Sequence, residues 1–175
     1  MRIMITLSAK RAAYGGFFVA MALMFSYLET LIPLNYFIHI PGFKLGFSNI
    51  SVLLAIFYLG TFDAFLISLC KIVLTAILFG NPTSFLFSLG GGILSFLFLL
   101  IAKYVIKEKI SYIGISVASA ALHNVGQVMV ACLIFKDFSV MWYLEWLLPV
   151  SVITGIITGA VAVTFRKITE KKYVF

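Results

Sequence analysis

Apolar runs separated by short polar breaks fill the chain from about residue 12 to residue 165. Six such runs stand out, at 12–34, 49–60, 62–79, 84–101, 112–135 and 141–165. A helix needs about 20 apolar residues to cross the hydrocarbon layer. The pattern therefore predicts an all-α integral membrane protein, with six transmembrane helices in one domain spanning residues 1–175. The second and third runs are short, and only Gly60 and Thr61 punctuate them, so one of the two is expected to be tilted or re-entrant. Gly80, Asn81, Pro82 and Thr83 read as a turn. The first run follows Lys10 and Arg11 as a secretory signal would. It is nevertheless about 20 residues long, has no clear small-x-small cleavage site and precedes further spans, so it reads as a retained helix.

One stretch does not fit this oily background. Residues 41–49 read P-G-F-K-L-G-F-S-N and carry Pro41, Gly42 and Gly46, which break regular structure. The glycines permit backbone angles closed to other residues, so the segment is able to fold back on itself. With Lys44 and Asn49 it offers a cation and an amide. An ordinary interhelical loop and a lid that grips a ligand are both consistent with the pattern.

Composition agrees with the membrane reading, since 63% of the residues are hydrophobic and 11% are charged, against about a quarter charged in a soluble domain. The net charge of +7 raises the question of nucleic acid, but the basic residues gather at the ends of apolar runs instead of forming a stripe. With an even number of spans, one side holds Arg2, Lys10, Arg11, Lys103, Lys107, Lys109, Arg166, Lys167, Lys171 and Lys172, and the other holds Lys44 and Lys136. That bias places both termini in the cytoplasm of a multi-pass cell-membrane protein, with the 41–49 stretch outside. Trp142, Tyr143 and Trp146 then serve as an aromatic anchor at the outer interface.

Polar residues within the runs are the candidate chemistry. Lys71 lies about nine residues into the third run, near mid-bilayer at a rise of about 1.5 Å per residue. A bare cation there costs at least about 2.5–3.5 kcal/mol, so it needs a partner or a wet cavity. Glu29, near the outer end of the first run, is placed to meet Lys44 or Lys71 or to reach interfacial water. His123 and Gln127 share a helix face, with Asn124 beside it. Interhelical bonding and a polar cavity both explain such a cluster. Ser84, Ser88, Gly91, Gly92 and Ser95 make one side of the fourth run small and polar. Ala12, Gly16 and Ala20 repeat every four residues, as do Gly155 and Gly159, and such stripes let helix backbones approach closely.

Several chemistries have no support. Cys70 and Cys132 sit in separate apolar runs and read as small buried residues, neither disulfide nor metal ligands. No four-ligand zinc spacing can be written. There is no phosphate-binding G-x-x-x-x-G-K-[ST] loop. With Asp63 and Asp137 the only aspartates, no aspartate pair exists to hold magnesium for prenyl transfer. The chain is expected to be no enzyme and to need no cofactor or metal.

Three segments together carry a family resemblance: P-G-F-K-L-G-F-S-N, the stretch L-F-G-N-P-T-S-F-L-F-S-L-G-G-G-I-L-S that follows Lys71, and H-N-V-G-Q. They resemble the family labelled heptaprenyl diphosphate synthase component I, also called the Gx transporter family. That family is similar to the substrate-binding S components of energy-coupling factor (ECF) transporters. The resemblance implies a six-helix bundle that binds a vitamin-like solute from outside, closed in part by the loop between its first two helices. It also implies a transmembrane coupling subunit and two cytoplasmic ATPases as partners, with Ala12, Gly16 and Ala20 at the docking face. Glu29, Lys44, Asn49, Lys71, Ser88, His123, Asn124 and Gln127 become the candidate substrate-binding residues. Cations beside an apolar cavity suit a solute with an apolar or aromatic body and an anionic group. An isoprenoid diphosphate fits, and so does a flavin, which aromatics in the outer halves would stack. The alternatives are a membrane accessory subunit of prenyl diphosphate synthesis and a helical bundle that transports nothing.

Overall fold

The computed structural model describes residues 2–32, 42–106 and 110–171, with side chains described over 9–32, 42–106 and 110–169. Pro41 at the head of the 41–49 stretch lies outside the described residues, as do Lys107, Lys109 and Lys172, and the side chains of Arg2 and Lys171. The described chain is helical, in the order α1 (Arg2–Thr30), α2 (Asn49–Tyr58), α3 (Thr61–Phe79), α4 (Pro82–Ile101), α5 (Tyr112–Phe135) and α6 (Leu144–Lys171). A π turn, Ala102–Ile106, prolongs α4, and a 3-10 turn, Phe138–Tyr143, leads into α6.

Local chemistry sets the helix ends. Asn81 caps α4 by accepting the Ser84 N–H at 2.7 Å, with Pro82 in the first turn, where its missing N–H costs nothing. Ser111 caps α5 by accepting the Gly114 N–H at 3.1 Å. Lys136 ends α5 in the left-handed region, with φ 51. Asp137 next receives the N–H and the hydroxyl of Ser139, which hold its carboxyl below the usual range.

Among the described residues five helices are long and apolar enough to cross a membrane: Ala9–Thr30, Thr61–Phe79, Pro82–Ile106, Tyr112–Phe135 and Phe138–Thr169. The expected second span is different. Its helix has 10 residues, about 15 Å at the α-helical rise, which is half the hydrocarbon thickness. Eight of those residues, Asn49 to Ile56, are buried. α2 is therefore a half-length helix inside the bundle, preceded by irregular chain. Irregular backbone at that depth is tolerated only when protein surrounds it, and Phe43, Leu45, Gly46 and Ser48 are all buried.

α5 is the central post, packed along α4 on one side and α6 on the other. Glycines make both contacts close. A Cβ on Gly91 would stand 2.6 Å from the His123 carbonyl oxygen, and one on Gly159 2.6 Å from Ile113 Cα. The Gly155 and Gly159 stripe is thus an internal face of the bundle. The stripe of Ala12, Gly16 and Ala20 is the reverse case: all three are exposed, and a Cβ on Gly16 would meet nothing within 4 Å.

The helix ends sort into two sets. At one end Arg11 pairs with Asp63 at 2.6 Å, Lys103 donates to the Ile56 carbonyl at 2.6 Å, and Arg166 lies 5.2 Å from the Tyr112 ring. At the other end Tyr27 of α1 packs on Phe79 of α3, with ring centroids 5.5 Å apart, near the turn that starts α4. Trp142 and Trp146 are widely exposed.

Candidate functional site

The interior polar groups converge where α2 begins. The segment 42–48 enters the bundle with Gly42 at φ 107 and Gly46 at φ 88, angles that favour glycine. Space imposes the same choice. A Cβ on Gly42 would press on Ser84 Cα at 3.1 Å, and one on Gly46 on Asn49 Nδ2 at 3.1 Å and His123 Cδ2 at 3.3 Å. Backbone polar groups in this irregular stretch still need partners, and Gln127 supplies two. The Lys44 N–H donates to Gln127 Oε1 at 2.9 Å, and Gln127 Nε2 donates to the Lys44 carbonyl at 2.8 Å. The first turn of α2 supplies others: the Asn49, Ile50 and Ser51 N–H groups donate to the carbonyls of Gly46, Phe47 and Ser48.

The amide chain continues inward. Gln127 Nε2 also donates to Asn124 Oδ1 at 3.0 Å, and Asn124 Nδ2 donates to the Leu147 carbonyl at 3.2 Å. Gln127 and Asn124 thereby tie the 42–48 segment, α5 and the start of α6 together. Their bonding capacity goes to protein partners, which makes them positioning residues for the segment.

Glu29, Lys71 and Asn49 form the charged centre. Lys71 Nζ donates to Asn49 Oδ1 at 2.5 Å, so this amide is the direct partner of the mid-span cation. Glu29 is 4% exposed, and neither carboxylate oxygen has a hydrogen-bond partner. The ammonium groups of Lys71 and Lys44 and the N–H groups of Phe47 and Ser48 face it without closing to bonding distance and geometry. Glu29 therefore sits at the positive N-terminal end of α2, where a carboxylate is stabilised. Asn49 Nδ2, Ser51 Oγ, Ser88 Oγ, Ser119 Oγ and His123 Nδ1 are also buried without partners. Such a cluster is unusual, because most buried polar atoms are paired or bound to water.

A cavity of about 200 Å³ opens above this centre, lined by Glu29, Gly42, Phe43, Lys44, Asn81 and Ser84 among others. It reaches two of the residues expected to bind solute, Glu29 and Lys44. Asn49, Lys71, Ser88, His123, Asn124 and Gln127 are buried and do not line it. The 42–48 segment, expected as an outer cover, instead fills the space between the cavity and those residues. Phe43 anchors it against Phe87, with ring centroids 5.0 Å apart. In the sequence Ser84 is one member of a small polar stripe, and Asn81 belongs to a turn. Neither carries a signal that marks a cavity wall before the fold is known. Among the described residues no three of His, Cys, Asp and Glu stand close enough to hold a metal ion.

The family described as heptaprenyl diphosphate synthase component I matches residues 18–165 of the chain. No curated protein and no solved structure matches it.

Proposed function

The chain belongs to the heptaprenyl diphosphate synthase component I family, and we propose that it works there as the solute-binding membrane subunit of an ECF-type transporter. Both termini face the cytoplasm, because Lys10, Arg11, Lys103, Arg166 and Lys167 stand at the end of the bundle where α5 begins and α6 finishes. The cavity beside Glu29 and Lys44 then opens to the outside. One observation carries the proposal: a buried carboxylate without a hydrogen-bond partner forms part of a cavity wall, beside two cations and above further unpaired polar atoms. Leaving such groups unmade costs about 1–3 kcal/mol each, and a bound solute with matching donors and acceptors relieves that cost.

The solute has an apolar or aromatic body and an anionic group. Lys44, with Lys71 behind it, suits the anion, and Phe43 and Phe79 line the cavity beside it. A flavin and an isoprenoid diphosphate are the two classes that fit. The 42–48 segment is the moving part, since entry of a solute to Lys71 and His123 requires it to withdraw from the place it fills. The exposed face of Ala12, Gly16 and Ala20 is where a coupling subunit docks, with two cytoplasmic ATPases beneath it. The test is copurification from native membranes followed by uptake in vesicles. Recovery of a membrane partner and ATPases, with ATP-dependent uptake, supports the proposal. Purification alone, with no ATP-dependent uptake, refutes it.

The family description favours a second reading, an accessory role in prenyl diphosphate synthesis. On that reading the purified chain raises the rate of a soluble prenyl synthase. No change in that rate removes it.

A further inference from the structure

The Gln127 amide is aimed from behind, by groups that belong to the helix framework. The Leu147 carbonyl accepts from Asn124 Nδ2 at 3.2 Å, which leaves Asn124 Oδ1 to accept from Gln127 Nε2 at 3.0 Å. That order decides which end of the Gln127 amide is nitrogen. Oε1 and the second N–H of Nε2 are thereby presented side by side to residue 44. Neither bond behind Gln127 involves the 42–48 segment, so this acceptor–donor pair keeps its aim when the segment withdraws.

What the pair holds is one edge of the Lys44 backbone. The N–H donates to Oε1 at 2.9 Å and the carbonyl accepts from Nε2 at 2.8 Å. Any group with an N–H and a C=O close together on one edge satisfies the same two bonds. Two residues further on, Gly46 lies against Asn49 and His123, since a Cβ there would stand 3.1 Å from Asn49 Nδ2 and 3.3 Å from His123 Cδ2. Asn49 Nδ2 is buried and has no hydrogen-bond partner. It offers a donor for a second carbonyl, beside the imidazole ring. Gln127 and Asn124 are fully buried, so a donor or acceptor left unmet here is costly.

We infer, resting on the transporter reading above, that Gln127 selects the solute by taking an N–H and a neighbouring C=O of a heterocyclic ring in place of the Lys44 peptide. The 42–48 segment is then a stand-in for the solute, and it gives up its two bonds when the ring arrives. A lactam or imide edge fits the pair, and an imide brings a second carbonyl for Asn49 Nδ2. A flavin ring carries such an edge. An isoprenoid diphosphate offers oxygen acceptors and no N–H, which would leave Gln127 Oε1 buried and unpaired. A site built around a hydrogen bond rejects analogues that lack it far more strongly than an apolar pocket does.

The probes are flavin mononucleotide, its N3-methyl derivative, which lacks the ring N–H, and farnesyl diphosphate as a chain-bearing anion. Each is titrated by calorimetry into the full-length protein in phosphatidylcholine nanodiscs. The wild type should bind flavin mononucleotide at least about tenfold more tightly than the methylated form, and Gln127→Leu should bring the two within about twofold of each other. The ratio is the decisive readout, because a Gln127 that only braces the bundle would weaken both probes alike and leave the ratio as it was. The wild-type comparison needs no variant to fold. Equal wild-type affinity for the two flavins overturns the inference, as does an unchanged ratio in Gln127→Leu. Binding of farnesyl diphosphate without the flavin, or of no probe at all, overturns it too. ATP-dependent uptake of another solute would then still uphold the transporter reading, so the two fail separately.

Discussion

Replacing Gln127 by Leu isolates what holds the 42–48 segment in the bundle. Leu nearly matches Gln in volume, so packing around the buried site is kept while the amide is lost. The structure shows two bonds from this amide to the Lys44 peptide, at 2.9 and 2.8 Å, and a third to Asn124 at 3.0 Å. Each bond is worth about 0.5–1.5 kcal/mol net, so the two to Lys44 together contribute about 1–3 kcal/mol. If that loss falls on local opening of the segment, the Lys44 amide should exchange its hydrogen about 5–150 times faster. Hydrogen exchange with mass spectrometry on the full-length protein reads this directly, with peptides from α4 as the internal reference. Faster exchange confined to 42–48 is expected. Wild-type protection at Lys44 would show that Gln127 does not hold the segment. A uniform rise that includes α4 would show that the amide supports the whole bundle instead.

Three further substitutions test other parts of the structure. Gly46→Ala puts a side chain at φ 88 and presses on Asn49 and His123, and should destabilise the protein by about 1–3 kcal/mol in thermal melts; an unchanged melting temperature would mean that the segment relaxes freely. Lys71→Ala leaves Asn49 without its donor and Glu29 with one facing cation, and should weaken solute binding by at least about tenfold with the fold intact. Unchanged affinity by calorimetry would remove Lys71 from the site. Gly16→Leu fills an open, exposed position on α1, so solute binding and melting temperature should stay as they are while ATP-dependent uptake is lost; retained uptake would place the partner's docking face elsewhere.

Much of the fold was legible because lipid imposes a simple rule. A long run without charge is a helix, and Gly80-Asn81-Pro82-Thr83 marks a break by chemistry that acts within a few residues. That one of the second and third runs is not a regular span was legible, but which of the two was not, for a definite reason. Residues 49–60 are as apolar as a span, yet their oil is spent inside the bundle, and burial on all sides looks the same in sequence as exposure to lipid. The candidate site was legible as a set of costly residues, since a Lys or Glu in an apolar run must find a reason to be there. Its division of labour was not. Whether Gln127 meets a solute or a backbone depends on where Lys44 comes to rest, 83 positions away. The partner of Lys71 proved to be the amide of Asn49, although Glu29 carries the opposite charge and stands near.

The most direct measurement is mass spectrometry of the small molecule that travels with the protein from its own membrane. A solute chamber predicts one compound released in about equal amount to the protein, with an apolar or aromatic body and an anionic group, and its loss from Lys71→Ala. Protein that carries no such compound, or that carries it equally well after Lys71→Ala and Glu29→Gln, would contradict the chamber and leave its buried charges as struts of the bundle.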